Sequence, residues 1–325
     1  MTDILFISTN TCTDPYPVYP LGMATVAGAL EQDGCTVRQF DMLADAGGRR
    51  ERVRPVIREV EPDCVCISIR NIDNVDSHAA PDEGWFLHDV RLLVEVVRAE
   101  TGAPVVLGGP AFSIMPEAVL DYVGADYGVA GEGERAVCEL VTALAQGRAP
   151  ARITRPASAL LAAAGMAAPA YRSDLVRYYL ERSGIVNVQT KRGCPHQCTY
   201  CTYPQLEGRC FRPRHAREVV DDIERLQQAY AADHFFFTDS VFNDAAGHWR
   251  AVVDEIVARR LQLRWAAFFT PAGLDRETVE RCREAGLYAV ELGTDAASDT
   301  TLAALNKSFD FAAVERANQA CVDAR

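Results

Sequence analysis

Two adjoining segments decide the fold of the second half of the chain: Ile185-Val-Asn-Val-Gln-Thr190, and then Lys191-Arg-Gly-Cys194-Pro-His-Gln-Cys198-Thr-Tyr-Cys201. The first has the length and composition of a buried β-strand. The second is the loop after that strand, and it carries three cysteines at Cx3Cx2C spacing. Three thiolates on one short loop can converge on one metal centre, and soft thiolates favour an iron–sulfur cluster or zinc over hard cations. The sequence therefore predicts a thiolate-ligated centre at the end of a strand.

Strands and helices alternate from this loop to the C terminus. The apolar and polar patterns predict strands over 185–190, 234–238, 263–269 and 288–293 and helices over 217–230, 246–260, 275–285 and onward to 325. About four consecutive βα units favour a barrel or partial (β/α) barrel. We therefore expect a barrel-like domain over residues 185–325.

The first 147 residues show a second alternating pattern. Short apolar runs predict strands over 3–8, 36–40, 64–69, 104–107 and 126–129, with helices over 21–32, 86–100 and 135–146. This pattern is typical of an α/β, flavodoxin-like doubly wound (Rossmann-like) domain, whose ligands lie beyond the carboxyl ends of the strands. An Ala/Arg/Pro-rich stretch over 148–184 is expected to be the linker to the second domain.

Composition excludes several other classes of protein. Lys and Arg number 33 against 45 Asp and Glu, a net charge of −12, which disfavours nucleic-acid binding. No apolar run reaches the ~18 residues of a membrane span, and the start lacks the pattern of a signal peptide. The chain has 11 cysteines, an odd number, so we expect free thiols or metal ligands in a cytoplasmic protein rather than a disulfide framework.

Zinc and an iron–sulfur cluster are the two candidates for the cysteine loop. His196 could complete a Cys3His set for zinc, but it lies within the loop, two residues from Cys194 and from Cys198, where joint tetrahedral coordination would be strained. A 4Fe–4S cluster with three protein ligands would instead keep one iron open to a substrate or cofactor.

The cysteine loop and its surroundings resemble the cobalamin-dependent radical S-adenosylmethionine (radical SAM) enzymes. The resemblance rests on these motifs: Gln189-Thr-Lys-Arg-Gly-Cys194, Cys198-Thr-Tyr-Cys201-Thr-Tyr-Pro204, Glu207-Gly-Arg209 and Phe237-Thr-Asp-Ser-Val-Phe-Asn243. In the first domain Pro20-Leu-Gly22, Gly108-Gly-Pro110 and Gly131-Glu-Gly-Glu134 resemble the cobalamin-binding loops of that family. The resemblance implies an N-terminal cobalamin-binding domain followed by a radical SAM barrel.

The same resemblance implies roles for particular residues. Cys194, Cys198 and Cys201 would ligate a 4Fe–4S cluster. S-adenosylmethionine would be contacted by Tyr200, Thr238, Asp239, Ser240 and Glu291. Asp239 has the alternative of a helix cap, a role that Asp favours. Cobalamin would be contacted by Asn10, Leu21, Gly22, Ser68, Arg70, Asn71, Gly108, Gly109, Pro110, Gly131, Glu132 and Gly133. The alternative for these glycines is that they merely form tight βα turns.

Two features depart from the common pattern of such proteins. Many cobalamin domains place a histidine ligand after the first strand, but this loop reads Asn10-Thr-Cys-Thr-Asp-Pro-Tyr and has none. Arg70 is therefore our candidate for the lower face of cobalamin, with a surface arginine paired to a nearby aspartate as the alternative. The barrel of this family has six βα units, and only four are visible, so we expect a barrel that is incomplete at the C terminus.

The activity implied by the resemblance is C-methylation. An electron from a donor such as flavodoxin or ferredoxin would cleave S-adenosylmethionine to a 5′-deoxyadenosyl radical, and methylcobalamin would supply a methyl group to an unactivated carbon. The substrate, whether small molecule, lipid or peptide, is not identified by the sequence. Two alternatives stay open: a radical cyclase or rearrangement enzyme that uses cobalamin without methyl transfer, and a cobalamin-sensing module with a structural cluster. The open fourth ligand position disfavours the second, because structural metal sites are normally closed.

Overall fold

The computed structural model describes residues 2–73, 85–155 and 165–324. Its contacts divide the chain into two compact units. Of the described residues, the first unit comprises 2–73, 85–155 and 165–183, and the second comprises 184–324. Each unit is an α/β structure built on a parallel sheet.

The first unit contains a parallel sheet of six strands within the described residues. The strands are β1 Asp3–Ser8, β2 Thr36–Asp41, β3 Cys64–Ser68, β4 Val105–Gly108, β5 Tyr127–Val129 and β6 Ile153–Thr154. Their order across the sheet is β2-β1-β3-β4-β5-β6. The first five strands follow the flavodoxin-like order, so the predicted doubly wound fold is confirmed. The sixth strand, β6, was not predicted, because two residues are too short to show a pattern.

Helices cover this sheet. They are α1 Leu21–Gln32, α2 Val53–Val60 (after one 3₁₀ turn, Arg50–Arg52), α3 Phe86–Glu100, α4 Pro110–Ile114, α5 Pro116–Val123, α6 Gly133–Ala145 and α7 Ser173–Ser183. On α3, Leu87, Val90, Val94 and Val97 recur at helical spacing and are buried. They belong to one apolar core that also contains Ile67 of β3 and its neighbours. The sequence pattern therefore located this helix because its apolar stripe is continuous.

The segment predicted to be a linker, 148–184, differs from that expectation in the structure. Residues 156–164 lie outside the described residues, but 165–183 pack on the first unit as α7 and the extended stretch before it. The Ala170 amide donates to the Ala24 carbonyl over 2.8 Å, and Tyr179 Oη donates to Asp41 Oδ1 over 3.0 Å. This docking depends on contacts between residues more than 100 positions apart in the sequence. The local Ala/Pro-rich composition does not reveal such contacts.

The second unit contains a parallel sheet of four strands and a small antiparallel hairpin within the described residues. The sheet strands are β7 Val186–Val188, β10 His234–Phe237, β11 Arg264–Phe269 and β12 Leu287–Leu292, in the order β12-β11-β10-β7. The hairpin pairs β8 Lys191–Arg192 with β9 Arg212–Pro213. The helices are α8 Tyr203–Leu206, α9 Ala216–Tyr230, α10 His248–Ala258, α11 Arg276–Glu284, α12 Asp299–Ala304 and α13 Phe311–Asp323. The predicted partial barrel of radical SAM type is confirmed as a fold class.

An aromatic cluster holds the sheet of the second unit. The rings of Phe237, Phe242 and Trp265 lie within 4.8–5.4 Å of one another, and Phe269 extends the group. All four are at most 1% exposed, and Trp265 Nε1 donates to the Ala285 carbonyl over 2.9 Å. Burial of such rings contributes strongly to stability. The cluster therefore holds the carboxyl ends of β10 and β11 in fixed positions.

Two expectations concern the whole chain: one about membrane spans and one about the completeness of the barrel. No helix in the described parts of the chain is both long enough and apolar enough to cross a membrane. The expectation that the barrel is incomplete at the C terminus is not tested by the structure and stays a prediction.

Candidate functional site

The predicted cobalamin residues of the first unit lie at one edge of its sheet. They follow the carboxyl ends of β1, β3, β4 and β5 or begin α1, α4 and α6. Strand β1 lies between β2 and β3, so chain connections diverge at the β1–β3 boundary. Ligands of doubly wound sheets bind outside this point. Asn10 and the Ser68–Asn71 stretch lie directly beyond it.

Gly109 forms a turn that only glycine suits. Its φ of +94° lies in the left-handed region, and a Cβ there would stand 2.6 Å from the Ile69 carbonyl oxygen. The neighbouring backbone pairs closely, because the Ile69 amide donates to the Gly108 carbonyl over 2.9 Å. The glycine therefore lets the start of α4 lie against the end of β3.

Ser113 connects two of the predicted loops, and sequence reasoning missed it. Its hydroxyl donates to the Gly109 carbonyl over 2.8 Å and accepts from the Gly131 amide over 2.9 Å. The Gly109 and Gly131 turns are thereby fixed relative to each other. A serine three residues after Pro110 was the available signal, but nothing in the sequence distinguishes it from an ordinary helical serine.

Asn10 and Gly22 have different surroundings. Asn10 is 8% exposed, and its Nδ2 is buried without a hydrogen-bond partner. Such a donor is costly to leave unpaired. Gly22, in the first turn of α1, has open space where a Cβ would stand. Arg70 is exposed, while Glu132 is buried beside Gly131.

Three cysteines of the second unit, Cys194, Cys198 and Cys201, lie on the loop that follows the hairpin strand β8. Cys194 is buried, and Cys198 and Cys201 are half-buried. Burial raises the pKa of the Cys194 thiol, and the negative charges of Cys201 and Cys198 raise it further. Among the described residues no three His, Cys, Asp or Glu side chains meet closely enough to hold a single ion.

The first half of this loop is fixed by its neighbours. Glu207 Oε2 accepts from the Gly193 amide over 3.1 Å, and Ser240 Oγ donates to the Gly193 carbonyl over 2.8 Å. The Cys194 amide donates to the Gly208 carbonyl over 3.0 Å. Burial raises the pKa of Glu207. The Glu207-Gly-Arg209 motif and Ser240 thus determine where Cys194 stands.

A buried ion pair joins the start of the loop to the end of β10. Lys191 is 1% exposed, and its Nζ lies 3.1 Å from Asp239 Oδ2 and 3.4 Å from Asp244 Oδ2. The ammonium group also donates to the Phe242 carbonyl over 2.8 Å and lies 5.0 Å from the centre of the Phe242 ring. Charges this deeply buried persist only when paired. Sequence reasoning assigned Lys191 no role, because lysine alone gives no signal of burial.

Asp239 occupies a different environment from the one that the resemblance implies. Its side chain is fully buried, and its two oxygens accept from the Thr190 amide and hydroxyl and from Lys191. The carboxylate is thus committed to the chain itself rather than open to the amino group or ribose of S-adenosylmethionine. Nor does it cap a helix, because the next helix, α10, begins at His248.

The other predicted S-adenosylmethionine residues are more open. Thr238 is half-buried at the end of β10, and its amide donates to the Val188 carbonyl over 2.9 Å. Glu291 is exposed on β12, where it pairs in register with the half-exposed Phe268. Tyr200 is 56% exposed, and its hydroxyl donates to Asp295 Oδ2 over 2.5 Å.

Family models match both units. The B12 binding domain matches residues 8–141, and the radical SAM superfamily matches residues 188–325. These ranges cover the β1–α6 sheet edge and the cysteine loop, respectively.

Similar proteins combine the same two regions. Tryptophan 2-C-methyltransferase from Streptomyces laurentii is 29% identical over 94% of this chain and 63% of its own length. Anaerobic magnesium-protoporphyrin IX monomethyl ester cyclase from Rubrivivax gelatinosus is 30% identical over 94% of this chain and 56% of its own. The chain thus spans less than two thirds of the length of these relatives.

Solved structures give the same result. The radical S-adenosylmethionine methyltransferase TsrM from Kitasatospora setae, with tryptophan substrate and a SAM analog bound, matches with a TM-score of 0.86 and 27% identity, over 98% of this chain and 65% of that one. A second TsrM structure, with cobalamin and a [4Fe-4S] cluster bound, matches with a TM-score of 0.83 and 28% identity, over 99% of this chain and 65% of that one. The chain is therefore matched by the B12 binding domain over its first unit and by the radical SAM superfamily over its second.

Proposed function

We propose that the protein is a cobalamin-dependent radical SAM methyltransferase that methylates an unactivated carbon. The observation that carries the proposal is the TM-score of 0.86 to TsrM, a radical SAM methyltransferase, over 98% of this chain at 27% identity. Three cofactors are implied: a 4Fe–4S cluster, S-adenosylmethionine and cobalamin. The identity of the substrate does not follow from the named relatives, since the chain spans only 63% of the tryptophan methyltransferase.

The donor set of the cysteine loop fits a 4Fe–4S cluster. Cys194, Cys198 and Cys201 provide three soft thiolates on one loop, and the hydrogen bonds to Gly193 and Cys194 hold its first half. Three protein ligands leave one iron of such a cluster for S-adenosylmethionine. Asp239 and Lys191 would act behind the loop, as residues that position it.

The sheet edge of the first unit fits cobalamin. Asn10 Nδ2 is buried and unpartnered, the first turn of α1 is open at Gly22, and the Gly109 and Gly131 turns are joined through Ser113. An unpaired donor and an open helix start at a topological switch point favour a large polar ligand. Ser68, Arg70 and Asn71 would contact the same ligand from the end of β3, with Arg70 on its lower face.

The bound groups supply the difficult chemistry: cleavage of S-adenosylmethionine and transfer of a methyl group. The chain's own residues would bind and orient them. S-adenosylmethionine at the cluster loop would be contacted by Tyr200, Thr238, Ser240 and Glu291. In support of this, Thr238 and Ser240 follow β10, and Glu291 lies in β12. Carboxyl ends of strands are the active-site face of βα barrels.

Replacing Gly109 with alanine should weaken cobalamin binding at least about tenfold. The added Cβ would collide with the Ile69 backbone, and alanine would need a φ that it adopts only at a cost of about 1–3 kcal/mol. The measurement is titration of the anaerobic protein with hydroxocobalamin, followed by absorbance. Gly102→Ala is the control, because nothing lies within 4 Å of a Cβ there. Equal affinity of the two variants would contradict a role of this turn in the cobalamin site.

The proposed function is tested first by cofactor content. After anaerobic reconstitution, one sample should contain about four irons, as many sulfides and about one cobalamin per chain. S-adenosylmethionine labelled in its methyl group should then transfer the label to cobalamin, detected by mass spectrometry. Zinc without iron would overturn the radical enzyme, and iron without cobalamin would overturn the role of the first unit.

A cyclase is the second candidate function, favoured by the 30% identity to a relative named as a cyclase. Both reactions would use the same cluster loop, so fold and cluster content do not separate them. The destination of the labelled methyl group separates the two reactions. Its appearance on cobalamin supports methyl transfer, whereas cleavage of S-adenosylmethionine without any labelled cobalamin supports a cyclase or rearrangement enzyme.

We also propose that a small electron-transfer protein, such as a flavodoxin or ferredoxin, reduces the cluster, and that the protein works in the cytoplasm. Free thiols persist in that reducing compartment. Reduction of the reconstituted cluster by a purified flavodoxin, followed by electron paramagnetic resonance, tests the first part.

A further inference from the structure

We propose that residues 305–309, which connect α12 to α13, form a clamp on the outer half of the cysteine loop, and that Lys307 is its positioning residue. We call residues 305–309 the clamp. The clamp itself is a property of the protein without metal. Its effect on a cluster rests on the proposed function.

Main-chain groups of the loop bind the clamp directly. The Thr199 amide donates to the Leu305 carbonyl over 3.1 Å, and Asn306 Nδ2 donates to the Gln197 carbonyl over 2.8 Å. Asn306 adopts a φ of +56°, a left-handed conformation that asparagine tolerates better than most residues. The helix end therefore turns toward the loop at Asn306.

Lys307 joins three parts of the second unit at one point. Its Nζ donates to Tyr200 Oη over 2.9 Å and to the Gly293 carbonyl over 3.1 Å, and it forms an ion pair with Asp295. An ammonium group has three donors, and these partners use all of them. The side chain is only 6% exposed although its partners lie near the surface. The lysine therefore holds one position.

Aromatic and polar contacts complete the clamp. Lys307 Nζ lies 5.3 Å from the centre of the Tyr200 ring and 5.7 Å from that of Phe309, distances typical of cation–π contacts. Ser308 Oγ lies 3.4 Å from His196 Nδ1. Tyr200 and Asp295 are themselves hydrogen-bonded. Cys198 and Cys201 belong to this half of the loop, so the clamp sets the position of two of the three ligand thiols.

The positive charge of Lys307 has a consequence for the cluster. Burial opposes the charge, but the hydrogen bonds to Asp295 and Tyr200, together with the negative charge of Cys198, outweigh it and raise the pKa of Lys307. The amine therefore stays protonated at neutral pH. A cation beside the thiolates favours the more negative, reduced cluster, and local charge is one of the factors that set cluster potentials.

The test compares Lys307→Met, which keeps the length but removes the charge, with Lys307→Arg, which keeps the charge. Arg316→Met on α13 is the control, because that side chain is 70% exposed. Hydrogen exchange is measured on the metal-free chain. In Lys307→Met the Thr199 amide should exchange about tenfold faster or more, as the loss of a charge-assisted hydrogen bond implies. Amides of β10 and β11 should keep their protection in all three variants.

The second measurement is the midpoint potential of the reconstituted cluster. Lys307→Met should make it more negative, and Lys307→Arg should restore most of the difference. Unchanged exchange at Thr199, or exchange that rises throughout the second unit, would overturn the clamp. An unchanged potential would overturn the effect of the charge. Because exchange is measured without metal, failure to assemble a cluster would count against the proposed function and leave the clamp standing.

Discussion

Cys201→Ala is expected to reduce the iron content of the reconstituted protein from about four atoms per chain to near zero. The loop supplies three thiolates, and a cluster held at two corners is easily lost to chelators or oxygen. Cys201 also ends the half of the loop that the clamp holds. Because its side chain is only half-buried, alanine removes a ligand without disturbing a buried core residue. Cleavage of S-adenosylmethionine should fall to the level without enzyme. Iron analysis and 5′-deoxyadenosine formation measure the two effects.

Cys210→Ala is the matched control for this prediction. Cys210 lies nine positions after Cys201, is exposed, and stands outside the three-cysteine motif. The control protein should bind iron and cleave S-adenosylmethionine like the parent. Full iron content in Cys201→Ala, or equal losses in both variants, would show that the cluster is held in another way.

Lys191→Met is expected to destabilise the second unit by about 3–5 kcal/mol, the usual cost of leaving a buried charge without its partner. Methionine resembles lysine in length, so the main change is the loss of the cation between Asp239 and Asp244. Both carboxylates are buried and would stay without a counter-charge. Denaturant unfolding of the metal-free chain measures the effect, and hydrogen exchange of β10 and β11 amides assigns it to the second unit.

A double variant distinguishes the ion pair from simple packing. If the charges interact, Lys191→Met combined with Asp239→Asn should cost clearly less than the sum of the two single changes. Arg281→Met is the control, since its ion pairs with Asp254 and Glu284 are exposed and should matter little. Additive effects of the two buried changes would contradict the assigned role of the pair.

Local patterns in the sequence were sufficient for the longest helices, for the first five strands of the first sheet, for the four strands of the second sheet and for the cluster loop. The helix predicted over 86–100 is observed as Phe86–Glu100, because it carries a continuous apolar stripe. The helix predicted over 21–32 is observed as Leu21–Gln32, and Gly34 follows its end with a φ of +88°. The four strands of the second sheet were found for a similar reason, since buried parallel strands are short apolar runs. The cysteine loop was found because Cx3Cx2C places three thiols within eight consecutive residues.

The role of individual polar residues depended on partners far along the chain. Asp239 follows a strand and was expected to face a ligand, yet Thr190 and Lys191, almost 50 positions away, enclose it. Ser113 has no signal of its own and acquires a role only because Gly131 lies beside it. Burial and pairing of this kind are properties of packed elements, and single-residue patterns do not encode them.

The sequence by itself determined the fold class of both units, the order of their strands along the chain and the loop that carries the three cysteines. Each of these follows from the spacing of neighbouring residues along the chain. The periods of the helix and of the strand decide which of those residues share one face of the element. Only the tertiary structure decided that 165–183 pack on the first unit, that Lys191 and Asp239 form a buried pair, and that Lys307 holds Tyr200 from 107 positions away. Those contacts exist because packing brings distant elements together. The free energy of burying and pairing their polar groups depends on the environment that only the folded chain creates.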